Sequence, residues 1–173
     1  MRSKLFTLVI AVPMLLLGIA CSSQRQTSYQ DSVKTALEQA DLKDVSVSED
    51  KDRNTITLGG SLHSNDAKQK ATEVAKANAG ERIVVNQVTV EPVGQESQAK
   101  NVASNVDDGI ENNYKAALVS KGLDKQHIRF DAKNGVITLK GSVKTPTQRK
   151  EAEQTAQTVP NVQQVVNEID VKR

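Results

Sequence analysis

One cysteine, two histidines and a scatter of lysines are the side chains through which this 173-residue chain could do chemistry. Cys21 is the sole thiol, so an intrachain disulfide and a cysteine-rich metal site are both excluded. His63 and His127 stand in no H-x-x-x-H or H-x-E spacing and are expected to be surface histidines. In His63-Ser64-Asn65-Asp66 the serine and the aspartate fit helix capping at a strand-to-helix turn better than catalysis. No Ser-His-Asp arrangement, glycine-rich phosphate loop, carboxylate motif or acidic ligand cluster stands out. The expectation is a protein with no catalytic residue, metal or cofactor, and not an enzyme.

What precedes Cys21 gives it a role. Arg2 and Lys4 form a positive start, and the run Leu5–Leu17 is almost wholly apolar. At 13 residues this run is shorter than the roughly 20 that a spanning helix needs, and fits the apolar core of an export signal. Leu17-Gly18-Ile19-Ala20-Cys21, followed by polar Ser22-Ser23-Gln24-Arg25-Gln26, resembles the lipobox of bacterial lipoproteins, with Gly18 where many have leucine. The resemblance implies cleavage after residues 1–20 by a peptidase that recognises Leu17, Gly18, Ile19 and Ala20. It also implies a diacylglyceryl group and an N-acyl chain on Cys21, with residues 21–27 as a lipidated tether. Several acyl chains hold a protein to a bilayer without a spanning helix. In a Gram-negative host, Ser22 after the cysteine implies the outer membrane, facing the periplasm.

Without the signal the chain carries 21 basic and 21 acidic residues, so the working protein is not basic. Only four aromatic residues occur, Phe6, Tyr29, Tyr114 and Phe130. Stacking platforms for single-stranded nucleic acid need more, so no nucleic acid is expected as a partner. Cores must be made from Val, Ile, Leu and Ala, which suits small units of modest stability.

The chain repeats itself. At an offset of 81, Asn54–Val90 aligns without gaps to Gly135–Val171, with 11 identities in 37 positions. Each copy begins with an apolar helical stripe: Val33, Ala36, Leu37 and Ala40, or Ile110, Tyr114, Ala117 and Leu118. A short alternating strand follows, Val45–Ser48 or Ile128–Phe130, then a polar turn, with Asn134-Gly135 a strong hairpin signal. The second strand places Ile56, Leu58, Gly60 and Leu62, or Ile137, Leu139, Gly141 and Val143, on one face. A second helix starts at Ser64 or Thr145-Pro146 and has an alanine-rich stripe; the last strand is Ile83–Val90 or Val162–Val171. The expected fold class is α+β: two tandem αββαβ domains, each a small three-stranded mixed sheet with two helices on one face. The boundaries expected are 28–91 for domain 1, 92–100 for a linker and 101–173 for domain 2, whose first helix starts near Val102.

Ile-Thr-Leu-x-Gly-Ser-[Leu/Val], a helix with small inward residues, then Val-Val-Asn-x-[Val/Ile]-x-Val, present twice, resembles the BON domain of bacterial envelope proteins. With the signal, the chain resembles dual-BON outer-membrane lipoproteins. The resemblance implies a non-enzymatic envelope protein that binds phospholipid surfaces and supports envelope integrity or osmotic-stress tolerance. The alternative is an adaptor whose sheet faces or residues 91–100 bind another envelope protein.

Four motif positions are expected to be structural. Gly60 and Gly141 leave room for the alanine-faced helix rather than for a ligand, and Asn86 and Asn167 hydrogen-bond backbone at a bend or strand end. Charge separates the copies: residues 28–91 hold 8 basic and 11 acidic residues, and residues 101–173 hold 11 and 9. Candidate phospholipid contacts are Lys140 and Lys144 on the outward face of the second strand, Arg149 and Lys150 on the second helix, and Lys115 and Lys121 on the first. The same residues also fit an ordinary solvated face, diluted by Glu151 and Glu153.

Overall fold

The computed structural model describes residues 28–172. The expected signal, Cys21 and the tether lie outside them. Domain 1 runs α1 (Gln30–Gln39), β1 (Val45–Asp50), β2 (Thr55–Leu62), α2 (Asn65–Asn78), β3 (Ile83–Asn86) and β4 (Thr89–Val90). Domain 2 runs α3 (Glu96–Ser120), β5 (His127–Lys133), β6 (Val136–Val143), α4 (Pro146–Gln157) and β7 (Gln164–Val171). In each, a hairpin pairs two strands antiparallel and the crossover helix returns the third strand parallel to the second. The α+β architecture with small mixed sheets is the one that the periodicities imply.

Both helices of each domain press one stripe onto the inner sheet face. In domain 1, Val33 and Leu37 of α1 and Ala71 and Ala75 of α2 close over Ile56, Leu58 and Val84. In domain 2, Ile110, Tyr114 and Leu118 of α3 and Ala152 and Ala156 of α4 close over Ile137, Leu139 and Ile169. The crossover helices start where expected. The Ser64 hydroxyl accepts from the Ala67 N–H (3.1 Å), while Thr145 and Gln148 form a full capping box with Pro146 in the first turn.

Three features depart from the expectation. First, α3 begins at Glu96 rather than near Val102, so the expected linker is helical from that residue. Pro92 and Gly94 make the turn, the Gly94 N–H donates to the Glu96 carboxylate (2.8 Å), and no helix breaker follows until Gly109. Second, the third strand of domain 1 is broken at Gln87 and Val88, whereas β7 runs unbroken along the whole of β6. Third, Gly60 and Gly141 do not make room for a helix. They sit at φ +98° and +105°, and a Cβ would lie 2.2 Å from the Asp44 carbonyl oxygen or 1.9 Å from that of His127. It is the backbone leading into the neighbouring hairpin strand that excludes a side chain.

The domains also pack on each other. Val85 on the outer face of β3 meets Val136 and Val166 on the outer face of the second sheet, and the three are buried together. The Asn134 side-chain amide donates to the Gln87 carbonyl (2.8 Å) and to the Thr89 hydroxyl (3.0 Å), so the strand break in domain 1 is where the domain 2 hairpin docks. The Asp107 carboxylate accepts from the N–H groups of Asn134 and Gly135 (2.8 and 3.0 Å) and steadies that turn. Gln164 adds a bond to the Val84 carbonyl (3.1 Å), and Arg53 lies 3.4 Å from the Glu168 carboxylate.

Candidate membrane-contact surface

Of the six candidate cations, the structure places three on the helix layer of domain 2. Because α3 buries Ile110, Tyr114 and Leu118, its next residues along, Lys115 and Val119, face solvent one turn apart. Lys121 follows at the helix end. Across from it, Lys150 of α4 shares a shallow depression of about 560 Å³ with Lys121, Thr147 and Glu151. Among the described residues, Lys115, Lys121 and Lys150 have no ion pair or side-chain hydrogen bond. Val119 is 59% exposed. An exposed apolar side chain can enter the headgroup region while free lysines on the same helix layer meet anionic lipid.

The other three lie elsewhere. Lys140 is on the outer sheet face, 3.8 Å from Glu168. Lys144 is exposed just past β6. Arg149 is committed to its own fold: its guanidinium donates to the carbonyls of Ile169 (2.8 Å) and Asn167 (2.9 Å) along the edge of β7. Those carbonyls would otherwise be open to another strand.

Asn86 and Asn167 do the same job in both domains. The Asn86 amide donates to the Lys68 carbonyl and the Thr72 hydroxyl (3.0 and 2.7 Å), and its oxygen accepts from the Val88 N–H (3.0 Å). Asn167 donates to the Arg149 carbonyl and the Glu153 carboxylate (3.2 and 2.9 Å) and accepts from the Ile169 N–H (3.2 Å). Each therefore stitches the third strand to the crossover helix. His63 Nδ1 is bonded to the Glu91 carbonyl (3.0 Å), while His127 is exposed on β5. No group of three metal-ligating side chains occurs among the described residues, and no described helix is long and apolar enough to cross a membrane.

Two features escaped the sequence reading. One is a groove of about 790 Å³ between the domains, walled by Val90, Ala99, Val102 and Val106, with Lys68 and Asp107 at its polar end. Burial lowers the Lys68 pKa, and the Asp107 charge opposes that shift. The other is a buried ion pair at the base of domain 1. Arg82 donates to the Glu49 carboxylate (3.0 Å), Ser28 donates to its other oxygen (2.7 Å), and the guanidinium lies 5.5 Å from the Tyr29 ring centre. Burial pushes the Glu49 carboxyl up, but Ser28 and Arg82 outweigh it and the net shift is downward. Glu49 and Arg82 are separated by 33 residues, and no spacing rule joins them.

Tandem αββαβ units, each with two helices on one face of a mixed sheet and a repeated strand glycine and strand asparagine, define a duplicated α+β module. The BON domain model matches residues 26–92 and again 106–173, and the chain belongs to the BON domain family. It is 29% identical over 142 residues to osmotically-inducible protein Y of Escherichia coli (strain K12), covering 81% of this chain and 69% of that protein. Two solved structures of CdsD, a structural protein of the type III secretion system of Chlamydia trachomatis, align at 15% identity and a TM-score of 0.33. They cover 83% of this chain, which spans 65% and 61% of those chains.

Proposed function

We propose that this chain is a non-enzymatic bacterial envelope protein, held to a membrane by acyl chains on Cys21, that lays the helix layer of domain 2 on phospholipid. The observation that carries this reading is the helix layer of domain 2, where Lys115, Lys121 and Lys150 are unpaired and Val119 is exposed one turn from Lys115. Each such cation contributes about 1 kcal/mol near an anionic surface. A part in envelope integrity or osmotic-stress tolerance is supported by membership of the BON family and by the name of the Escherichia coli relative. Acylation would leave a tether of seven residues, Ser22–Ser28, before Tyr29, the N-cap of α1. At about 3.3–3.6 Å per residue its reach is roughly 25 Å. Domain 1 would stay close to the bilayer and domain 2 would turn its helix layer toward it; the outer membrane, facing the periplasm, is the location this reading favours.

The test is co-sedimentation of the chain carrying Cys21→Ala with phosphatidylglycerol-containing vesicles at low salt. Binding that Lys115→Glu/Lys121→Glu weakens about tenfold, and that Lys140→Glu/Lys144→Glu leaves nearly unchanged, is the expected result. No binding by the unsubstituted surface would overturn it. Mass spectrometry of the mature N-terminus tests the acylated Cys21 separately.

The interdomain groove favours a second reading, an adaptor for another envelope protein, because Val102 and Val106 stay exposed along it and Val93 beside it. Photocrosslinking from Val102 in cells that recovers one dominant protein, together with absence of vesicle binding, would replace the first reading by this one.

A further inference from the structure

The outer face of the domain 2 sheet arranges its charges in columns. His127 and Arg129 stand on β5, Lys140 and Ser142 on β6, and Glu168 and Asp170 on β7. Register places Arg129 opposite Lys140 and Lys140 beside Glu168; on the next rung Ser142 lies between His127 and Asp170. Like charges directly opposite on paired strands repel, yet the Arg129 side chain has no ion pair or hydrogen bond among the described residues. Asp131, the acid on this face of β5, lies one rung further away, opposite Thr138. Arg53 reaches over from domain 1, 3.6 Å from Asp50 and 3.4 Å from the same Glu168 oxygen that Lys140 approaches at 3.8 Å. Arg53 and Lys172 join Arg129, Lys140, Glu168 and Asp170 in lining a depression of about 670 Å³.

A plain anion here would meet Glu168 and Asp170 one strand away from its cations. A plain cation would meet Arg129 and Lys140. Only a ligand carrying both signs satisfies both columns. We propose that this face is a binding site for a zwitterionic amino-phosphate, with the phosphate on Arg129 and Lys140 and the ammonium on Glu168 and Asp170. Neighbouring strands lie about 4.8 Å apart, and a two-carbon link holds the phosphate and ammonium of an ethanolamine phosphodiester at about that separation. The Lys140–Glu168 and Arg53–Glu168 pairs are partly exposed, and pairs of that kind exchange readily for a better-matched partner. The site lies on the opposite face of domain 2 from the helix layer. It therefore stands or falls independently of the membrane contact proposed above.

The experiment is a ¹⁵N nuclear magnetic resonance titration of the chain carrying Cys21→Ala with glycerophosphoethanolamine. Glycerophosphoglycerol, the same phosphodiester without the ammonium, serves as comparator. Shifts should centre on Arg129, Lys140, Glu168 and Asp170, and the comparator should bind about tenfold more weakly, the usual effect of losing one charge-assisted contact. Arg129→Gln and Asp170→Asn should each cost a similar factor with unchanged thermal unfolding. Equal binding of the two phosphodiesters, or shifts confined to other surfaces, overturns the proposal. A second arm reads the same resonances with vesicles containing phosphatidylethanolamine. Response there identifies the ligand as a lipid headgroup, and response to the free compound alone identifies it as soluble.

Discussion

At the turn end of the hairpin, domain 1 places Glu49 opposite Ile56 and pairs its carboxylate with Arg82; the matching rung of domain 2 is Ala132 opposite Ile137. Two residues back along the strand the contrast reverses. Domain 1 has Val47 near Val33, and domain 2 has Phe130 edge-on to Tyr114, ring centres 5.0 Å apart, with the Tyr114 hydroxyl donating to the Ala152 carbonyl (3.1 Å). One backbone is thus secured by a buried ion pair in the first copy and by a buried aromatic pair in the second. The ion pair sits where the chain enters domain 1 and includes Ser28 and Tyr29. Gly80 is bare there because a Cβ would lie 2.7 Å from the Tyr29 ring. Domain 1 has therefore placed a buried ion pair at its N-terminal entry, while at the equivalent place domain 2 uses carboxylates that accept from the backbone, Glu111 from the Ala132 N–H (2.9 Å) and Asp107 from the turn.

The largest effects should come where the copies agree. Gly60→Ala and Gly141→Ala force a methyl group onto a backbone oxygen at a left-handed φ, and each should cost its own domain about 4 kcal/mol or more in urea unfolding. A mild effect in one copy alone would break the equivalence of the two strands. Tyr114→Ala comes next, at about 4 kcal/mol, because a ring and its hydrogen bond leave a cavity. Val33→Ala, the equivalent change in domain 1, removes far less volume and should cost less than half as much.

Arg82→Ala should cost domain 1 about 3 kcal/mol, since it strands the Glu49 carboxylate in a site where that side chain is 1% exposed. The pair also fixes a pH dependence. The folded Glu49 pKa is depressed, so its contribution is complete above the ordinary value of 4.5 and is lost as pH falls through the lower folded value. In an acid titration followed by amide resonances, β2 should therefore lose order at higher pH than β6. Glu49→Gln should destabilise domain 1 at neutral pH and flatten that acid dependence. Simultaneous loss of both sheets in the wild-type chain would remove the distinction between the domains.

Much of this was legible because the fold is built from repeated local signals. Alternation in Ile56–Leu58 and Ile137–Leu139, the Asn134-Gly135 turn and the Thr145-Pro146 cap each specify one element by short-range physics, and the offset of 81 multiplies every signal by two. What stayed hidden depends on long-range juxtaposition. Lys121 and Lys150 share one depression and Arg149 is kept from it, because a guanidinium one residue away on the same helix found strand carbonyls within reach. The domain contact did leave a trace. Ile83-Val84-Val85 is apolar without a break, and on a strand only alternate residues can face one core. Val84 enters the domain 1 core, so Val85 required a second one, and Val136 and Val166 supply it.

The smallest effect tests whether that second core is enough to join the two unlike domains. Asn134 occupies a left-handed turn position (φ 49°), so Asn134→Ala would confound backbone strain with the loss of its side-chain bonds. Asn134→Gly keeps the turn and removes only the amide that reaches Gln87 and Thr89. It should cost about 1 kcal/mol, the net worth of such hydrogen bonds, and the cost should fall on the coupling between domains rather than on either core. Backbone ¹⁵N relaxation should then report separate tumbling for residues 28–91 and 101–172, with the chemical shifts inside each core unchanged. If the variant still tumbles as one body, Val85, Val136 and Val166 together with Arg53–Glu168 suffice to hold the copies, and the strand break at Gln87 serves only to turn the chain.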